Sequence, residues 1–174
     1  MRLKLLLLLA IAGIFACKRS DERLSSEVEK QMKEYFTTNN LGSPKSTEDG
    51  LMYVITLPGE GIAPKKGDVV TVNYKGKLLN GQEFDSTYGA TSGPLTYTVG
   101  KVVPGLKESV MIPGFDEAVL MLKQGGTGTF VMPPYLGYKA KTVNNPDGSL
   151  LIPPNSPLAF EIQILEVRST APAK

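Results

Sequence analysis

The sequence predicts an α+β fold in which an antiparallel sheet of five or six strands wraps around one short helix. From Leu51 onward, apolar residues recur at every second position in segment after segment, the period of half-buried strands. One stretch, Met111 to Gly126, leaves that rhythm for the helical period. Nothing else downstream of residue 50 carries a helical pattern, so the sheet has a single element to fold over, with one face covered.

The chain opens with Arg2 and Lys4, followed by an apolar run from Leu5 to Phe15. The run is short for a bilayer span and charged only at its start, the pattern of an export signal over residues 1–16. It ends in Ile14-Phe15-Ala16-Cys17, which resembles the bacterial lipobox, although Phe15 is bulkier than usual. The resemblance implies lipid modification of Cys17, the only cysteine in the chain, and hence attachment to a membrane of the bacterial cell envelope. Lys18 follows the cysteine where Asp would favour the inner membrane, so the outer membrane is expected, with the face left open.

Residues 17–49 form a polar tether with one helical signal. Ser26-Glu27-Val28-Glu29 is a capping box, and Val28, Met32, Tyr35 and Phe36 follow at helical spacing until Asn39-Asn40 and Gly42. Packing on the domain, contacts between copies, a stalk and a partly ordered tether all remain open for this helix.

A folded domain is expected over residues 50–168, with a tail at 169–174. Leu51, Tyr53, Ile55 and Leu57 alternate, as do Val70, Val72 and Tyr74 after a loop at 58–66. Asn80-Gly81, between Leu78-Leu79 and Gln82-Glu83-Phe84, is a favoured pair for a tight hairpin. Further strands run through Leu95, Tyr97 and Val99, through Gly128, Phe130 and Met132, and through Leu158, Phe160, Ile162 and Ile164. In the helical stretch, Phe115, Ala118, Val119 and Leu122 make the apolar stripe, Pro113 suits the start, and Gly125-Gly126 supplies a left-handed stop. Asp116 and Glu117 fall in the first turn and Lys123 in the last, the favourable order for the helix dipole.

Composition removes several kinds of chemistry. The 174 residues are 41% hydrophobic, carry a net charge of +2 and include no histidine. Histidine-based triads, histidine zinc sites and an intramolecular disulfide are excluded, and the scattered lysines and arginines argue against nucleic acid. The carboxylates show no converging spacing, so neither a metal nor another cofactor is expected.

Several motifs in order, Gly67-Asp68-Val69-Val70-Thr71-Val72-Asn73-Tyr74-Lys75-Gly76, Asn80-Gly81-Gln82-Glu83-Phe84-Asp85-Ser86, Ile112-Pro113-Gly114-Phe115, Tyr138 and Leu151-Ile152-Pro153-Pro154-Asn155 with Phe160, resemble an FKBP-type peptidyl-prolyl isomerase domain across residues 50–168. The resemblance implies a shallow apolar pocket between sheet and helix. Tyr74, Phe84, Leu95, Met111, Ile112, Phe115, Leu151, Ile152 and Phe160 would form its floor and walls. Asp85 and the Tyr138 hydroxyl would be its polar contacts, with the Ile112 N–H receiving a substrate carbonyl; Tyr74, Phe84, Asp85 and Tyr138 form the catalytic set. Read singly, Asp85 before Ser86 is a turn former, and Tyr74 and Phe160 are alternating core residues.

The chain also departs from the family. Phe115 stands where tryptophan is usual, Leu95 where an aromatic is usual, and Lys139 where glycine follows the tyrosine. Macrolide inhibitor binding is implied by the resemblance and weakened by Phe115 and Leu95. Insertions occupy Lys101–Val110 and Lys139–Leu150. The first holds Val102-Val103-Pro104-Gly105-Leu106, a near-copy of Ile112 to Phe115, and only the second copy lies at the right distance from Gly125-Gly126. The second contains the turn signal Asn145-Pro146-Asp147-Gly148 and lies in a loop that, by the resemblance, would overhang the pocket.

The expectation is therefore a lipid-anchored prolyl cis/trans isomerase acting on proline-containing exported proteins. Its rivals are a chaperone or protein-binding module with weak or no catalysis, and a structural lipoprotein that uses the domain as a spacer. Clients and oligomeric state are left open.

Overall fold

The computed structural model describes residues 25–89, 93–102 and 110–170. The leader, Cys17, most of the first insertion and the end of the tail lie outside them. Among the described residues no helix is long and apolar enough to cross a membrane.

The elements run α1 (Ser26–Thr38), β1 (Lys45–Ser46), β2 (Met52–Leu57), β3 (Val69–Leu78), β4 (Glu83–Ser86), β5 (Leu95–Thr98), α2 (Pro113–Leu120), β6 (Thr127–Met132), β7 (Val143–Asn144), β8 (Leu150–Ile152) and β9 (Leu158–Arg168). The main sheet has seven strands in the order β1-β2-β6-β9-β3-β4, with β5 also on β3, all antiparallel. It exceeds the expected five or six because the two-residue β1 adds an edge and because the far edge is broken into β4 and β5. A separate hairpin, β7–β8, stands off the sheet.

Alternation decides which side chains line the core. Val70 and Val72 from β3, Phe130 and Met132 from β6, and Phe160, Ile162 and Ile164 from β9 point inward around α2. On α2, Phe115, Ala118 and Val119 are fully buried, and Leu122 just beyond it nearly so, as their spacing predicts. Ile112 caps the helix with extended backbone and Pro113 takes the first position. Gly125 supplies the left-handed stop at φ 84°. Gly126 serves differently, since a Cβ there would lie 2.7 Å from the Pro58 carbonyl oxygen. Lys123 falls past the helix end, so it does not occupy the last turn as the sequence suggested.

Leu57 departs from its pattern. A bulge between Ile55 and Leu57 breaks the register against β6 and leaves Leu57 exposed. The β3–β4 hairpin is also not the two-residue turn that Asn80-Gly81 suggests. The Leu78 N–H donates to Gln82 O and the Gly81 N–H to Leu78 O, so the loop is Leu79-Asn80-Gly81 with only Gly81 left-handed.

Helix α1 settles a question the sequence left open. Its N-cap is Ser25, one residue earlier than the capping box implies; the Ser25 hydroxyl accepts the Val28 N–H at 3.3 Å, and Glu29 instead pairs with Lys33. Met32, Tyr35 and Phe36 pack on Met52, Val131 and Ala159, on the sheet face turned away from α2. Both faces of the sheet therefore carry a helix, where a single covered face was expected.

Candidate active site

Strand β3 carries Tyr74 into the space above α2. The segment after β4 grips its backbone: the Tyr74 N–H donates to Thr87 Oγ1 at 2.9 Å, and the Thr87 N–H donates to Tyr74 O at 3.0 Å. The Tyr74 hydroxyl in turn donates to Asp85 Oδ2 at 2.5 Å, which fixes the exposed carboxylate beside the Tyr74 ring. Asp85 arrives there because Gly76 pairs opposite it across β3–β4.

Beneath this pair lies an aromatic box. The Tyr74 ring meets Phe115 edge-on at 5.4 Å, and Phe115 meets Phe160 the same way at 5.4 Å. Phe84 stands edge-on to Phe160 at 5.6 Å. These are the favourable offset and T-shaped geometries of aromatic pairs. Gly76 permits the closure, because a Cβ there would fall 2.7 Å from the Phe84 ring and 2.9 Å from the Phe160 ring. Gly114 does the same under α2, where a Cβ would fall 2.7 Å from Met132 Sδ.

Around the box, Leu95, Met111, Ile112, Leu151 and Tyr138 are half-buried and pack on the same core, which also holds Ile152. The pocket residues expected from the sequence thus all belong to, or pack on, one apolar core, with Asp85 joined to it through Tyr74. Ile112 leaves its N–H without a partner among the described residues, while its carbonyl accepts from Phe115 and Asp116 at the head of α2. Tyr138 follows a 3₁₀ turn, Pro134–Leu136, and its hydroxyl likewise has no partner among the described residues. Lys139, next in the chain, is pinned on both sides: its N–H donates to Pro134 O at 2.9 Å and its carbonyl accepts the Asn155 N–H at 2.7 Å.

The electrostatics follow from burial. Desolvation, then the hydrogen bond to Asp85 and its charge, push Tyr74 far above the ordinary tyrosine range. Burial, then the Asp85 charge, raise Tyr138 as well. Both hydroxyls keep their protons at neutral pH and can act as donors.

Sequence reasoning missed three contributors. Tyr97 from β5 packs on Phe115 at 6.0 Å. Its hydroxyl is buried close to Asp116 without completing a well-formed hydrogen bond, and burial, then Asp116, push its pKa well above the ordinary tyrosine range. Thr87 and Gly76 shape the site without lining it. Tyr97 was visible as an alternating apolar position, whereas nothing local marks Thr87 as a clamp.

Comparison with known proteins bears on this geometry. The sequence pattern of the family described as FKBP-type peptidyl-prolyl cis-trans isomerase matches residues 60–165. The chain is 35% identical over 156 residues to the probable FKBP-type peptidyl-prolyl cis-trans isomerase FkpA of Neisseria meningitidis, a stretch that is 87% of this chain and 52% of that protein. Against FkpA of Escherichia coli it is 37% identical over 140 residues, 80% of this chain and 45% of that one. The chain thus spans about half the length of the curated relatives it matches. Among solved structures, FkpA from Escherichia coli superposes with a TM-score of 0.63 at 35% identity, covering 82% of this chain and 60% of that one. AtFKBP13 superposes with a TM-score of 0.61 at 31% identity, covering 74% of this chain and all (100%) of that one.

Proposed function

The chain belongs to the FKBP-type peptidyl-prolyl cis-trans isomerase family, and from that premise we propose that it accelerates cis/trans exchange of X–Pro bonds in polypeptide substrates, without covalent or metal chemistry. The observation that carries the reading is the box of Tyr74, Phe84, Phe115 and Phe160 with the Tyr74–Asp85 pair at its edge.

The reaction needs no nucleophile. Rotating an amide means losing its resonance, a barrier of about 18–20 kcal/mol, with no bond broken. An apolar box disfavours the charge-separated planar amide more than the twisted form, in which the proline nitrogen becomes pyramidal. Burial of the proline ring against Phe115 and Phe160 therefore favours the transition state. In this reading the Ile112 N–H and the Tyr138 hydroxyl hold substrate carbonyls, and the hydrogen bond from Tyr74 keeps Asp85 from swinging away. Each 1.4 kcal/mol of preference gives about tenfold in rate. Phe115 and Leu95 offer less surface than the usual aromatics, so weak macrolide binding belongs to the same reading.

The test is NMR exchange between the cis and trans forms of Ala-Leu-Pro-Phe. The protein is expected to accelerate exchange, and Tyr138→Phe to slow it about fivefold, the worth of one hydrogen bond of about 1 kcal/mol. Asp85→Ala should slow it at least as much with the fold retained. Undiminished rates in both variants would mean the pocket is elsewhere, and flat exchange with the wild-type protein would favour a binding module.

A further inference from the structure

One carboxylate in the first turn of α2 has no part in the isomerase reading. Asp116 is only 9% exposed, and a buried charge needs partners. Its Oδ1 accepts the Gly100 N–H at 3.3 Å. Gly100, left-handed at φ 68°, hangs from fixed backbone: the Val99 N–H donates to Asp68 O and the Gly67 N–H to Val99 O, both at 2.9 Å. One residue on, the Lys101 carbonyl accepts the Val110 N–H at 2.8 Å, which closes the base of the first insertion. These two bonds complete a ring. From Gly100 the backbone passes to Lys101, crosses to Val110, runs through Met111 and Ile112 into α2, and returns to Gly100 by the Asp116 carboxylate. Ile112 lies within the ring, its carbonyl accepting the Phe115 and Asp116 N–H groups at 3.0 and 3.3 Å. Tyr97 stands beside it, with its ring 6.0 Å from that of Phe115 and its hydroxyl buried close to Asp116.

We propose that Asp116, backed by Tyr97, is a positioning residue that holds the Ile112 N–H in place for a substrate carbonyl. The proposal rests on the isomerase reading of the pocket. The first insertion enters the chain immediately ahead of Met111 and Ile112, so any shift at its base would be passed straight to that donor. No side chain caps α2 among the described residues, and the Asp116 carboxylate supplies the tie that a cap would give. A hydrogen-bond donor favours a transition state most when it is fixed before the substrate arrives, and small misplacements are costly in rate. The ring fixes it by anchoring both the entry to Ile112 and the exit from it to the end of β5.

The test follows Ala-Leu-Pro-Phe exchange over a range of peptide concentrations, with rates taken per folded molecule. Asp116→Ala is expected to lower kcat about fivefold with KM little changed, the pattern of a contact made in the transition state. Asp116→Asn loses the charge but keeps a side-chain carbonyl for the Gly100 N–H, and should restore most of the rate. Tyr97→Phe removes a hydroxyl that makes no well-formed bond, so it should lower kcat without lowering the denaturant midpoint. An unchanged kcat in Asp116→Ala overturns the proposal, as does an Asp116→Asn variant as slow as the alanine one. If Asp116→Ala does not fold, Tyr97→Phe decides, and an unchanged kcat there overturns it. Amide hydrogen exchange on the same preparations reads the ring without substrate. Asp116→Ala should speed exchange at Val110 relative to Phe130 in the sheet, and an unchanged ratio would mean that the ring is not held by Asp116. A wild-type protein that leaves the tetrapeptide unaccelerated, yet shows this change at Val110, would defeat the isomerase reading and leave the ring standing.

Discussion

Lys139 adopts a left-handed backbone, φ 57°, at the position where the family has glycine. For a side chain with a Cβ that conformation costs about 1–2 kcal/mol, and the bonds to Pro134 and Asn155 impose it. Lys139→Gly is therefore expected to raise unfolding stability by about 0.5–1 kcal/mol, the relief of strain less the extra freedom of glycine when unfolded. A denaturant midpoint that falls would mean that the lysine side chain contributes something the backbone strain conceals. At this scale the sequence was informative where side-chain type matters and silent where geometry matters. Tyr74 and Phe160 read as alternating core residues, and they are core residues; only the company of Phe84, Asp85 and Tyr138 marked them as a candidate site. Thr87 has no such company, because its role depends on a backbone 13 residues away that only folding brings near.

Amphipathic period located both helices, since Met32, Tyr35 and Phe36 on α1 and Phe115, Ala118 and Val119 on α2 are all buried. What an apolar stripe meets is not written in its spacing, so the seat of α1 on the outer sheet face was unreadable. Phe36 is fully buried there. Phe36→Ala is expected to destabilise the protein by about 3–5 kcal/mol, the range for removing a buried aromatic. A loss below about 1 kcal/mol in a denaturant titration would mean that α1 is not part of the cooperative unit. Strand boundaries followed alternation except at Leu57, where a bulge that no local residue announces shifted the register. The β7–β8 hairpin was legible only as its turn, because strands this short carry no period.

Across the whole molecule the buried tyrosines set a common pH limit. Burial first, and neighbouring carboxylates second, raise Tyr74, Tyr97 and Tyr138 above the ordinary value. Through neutral pH both folded and unfolded chains keep these protons, and stability is unaffected. Above about pH 10 the unfolded chain releases them while the folded chain does not, so the unfolded state gains. Unfolding free energy is thus expected to be flat from pH 7 to 9 and to fall from pH 10 to 12; a flat profile to pH 12 would contradict the burial of these hydroxyls. The placement of α1 and β2 has a consequence of another kind. The family footprint begins at residue 60, beyond both elements. A fragment trimmed to that footprint keeps the aromatic box yet strips β6 of its neighbour, leaving a row of unpaired amides and carbonyls beside the uncovered Val131 and Ala159. Such an edge is a template for pairing with another copy. The segment ahead of the family footprint thus acts as insulation, keeping the sheet from aggregating with a copy of itself.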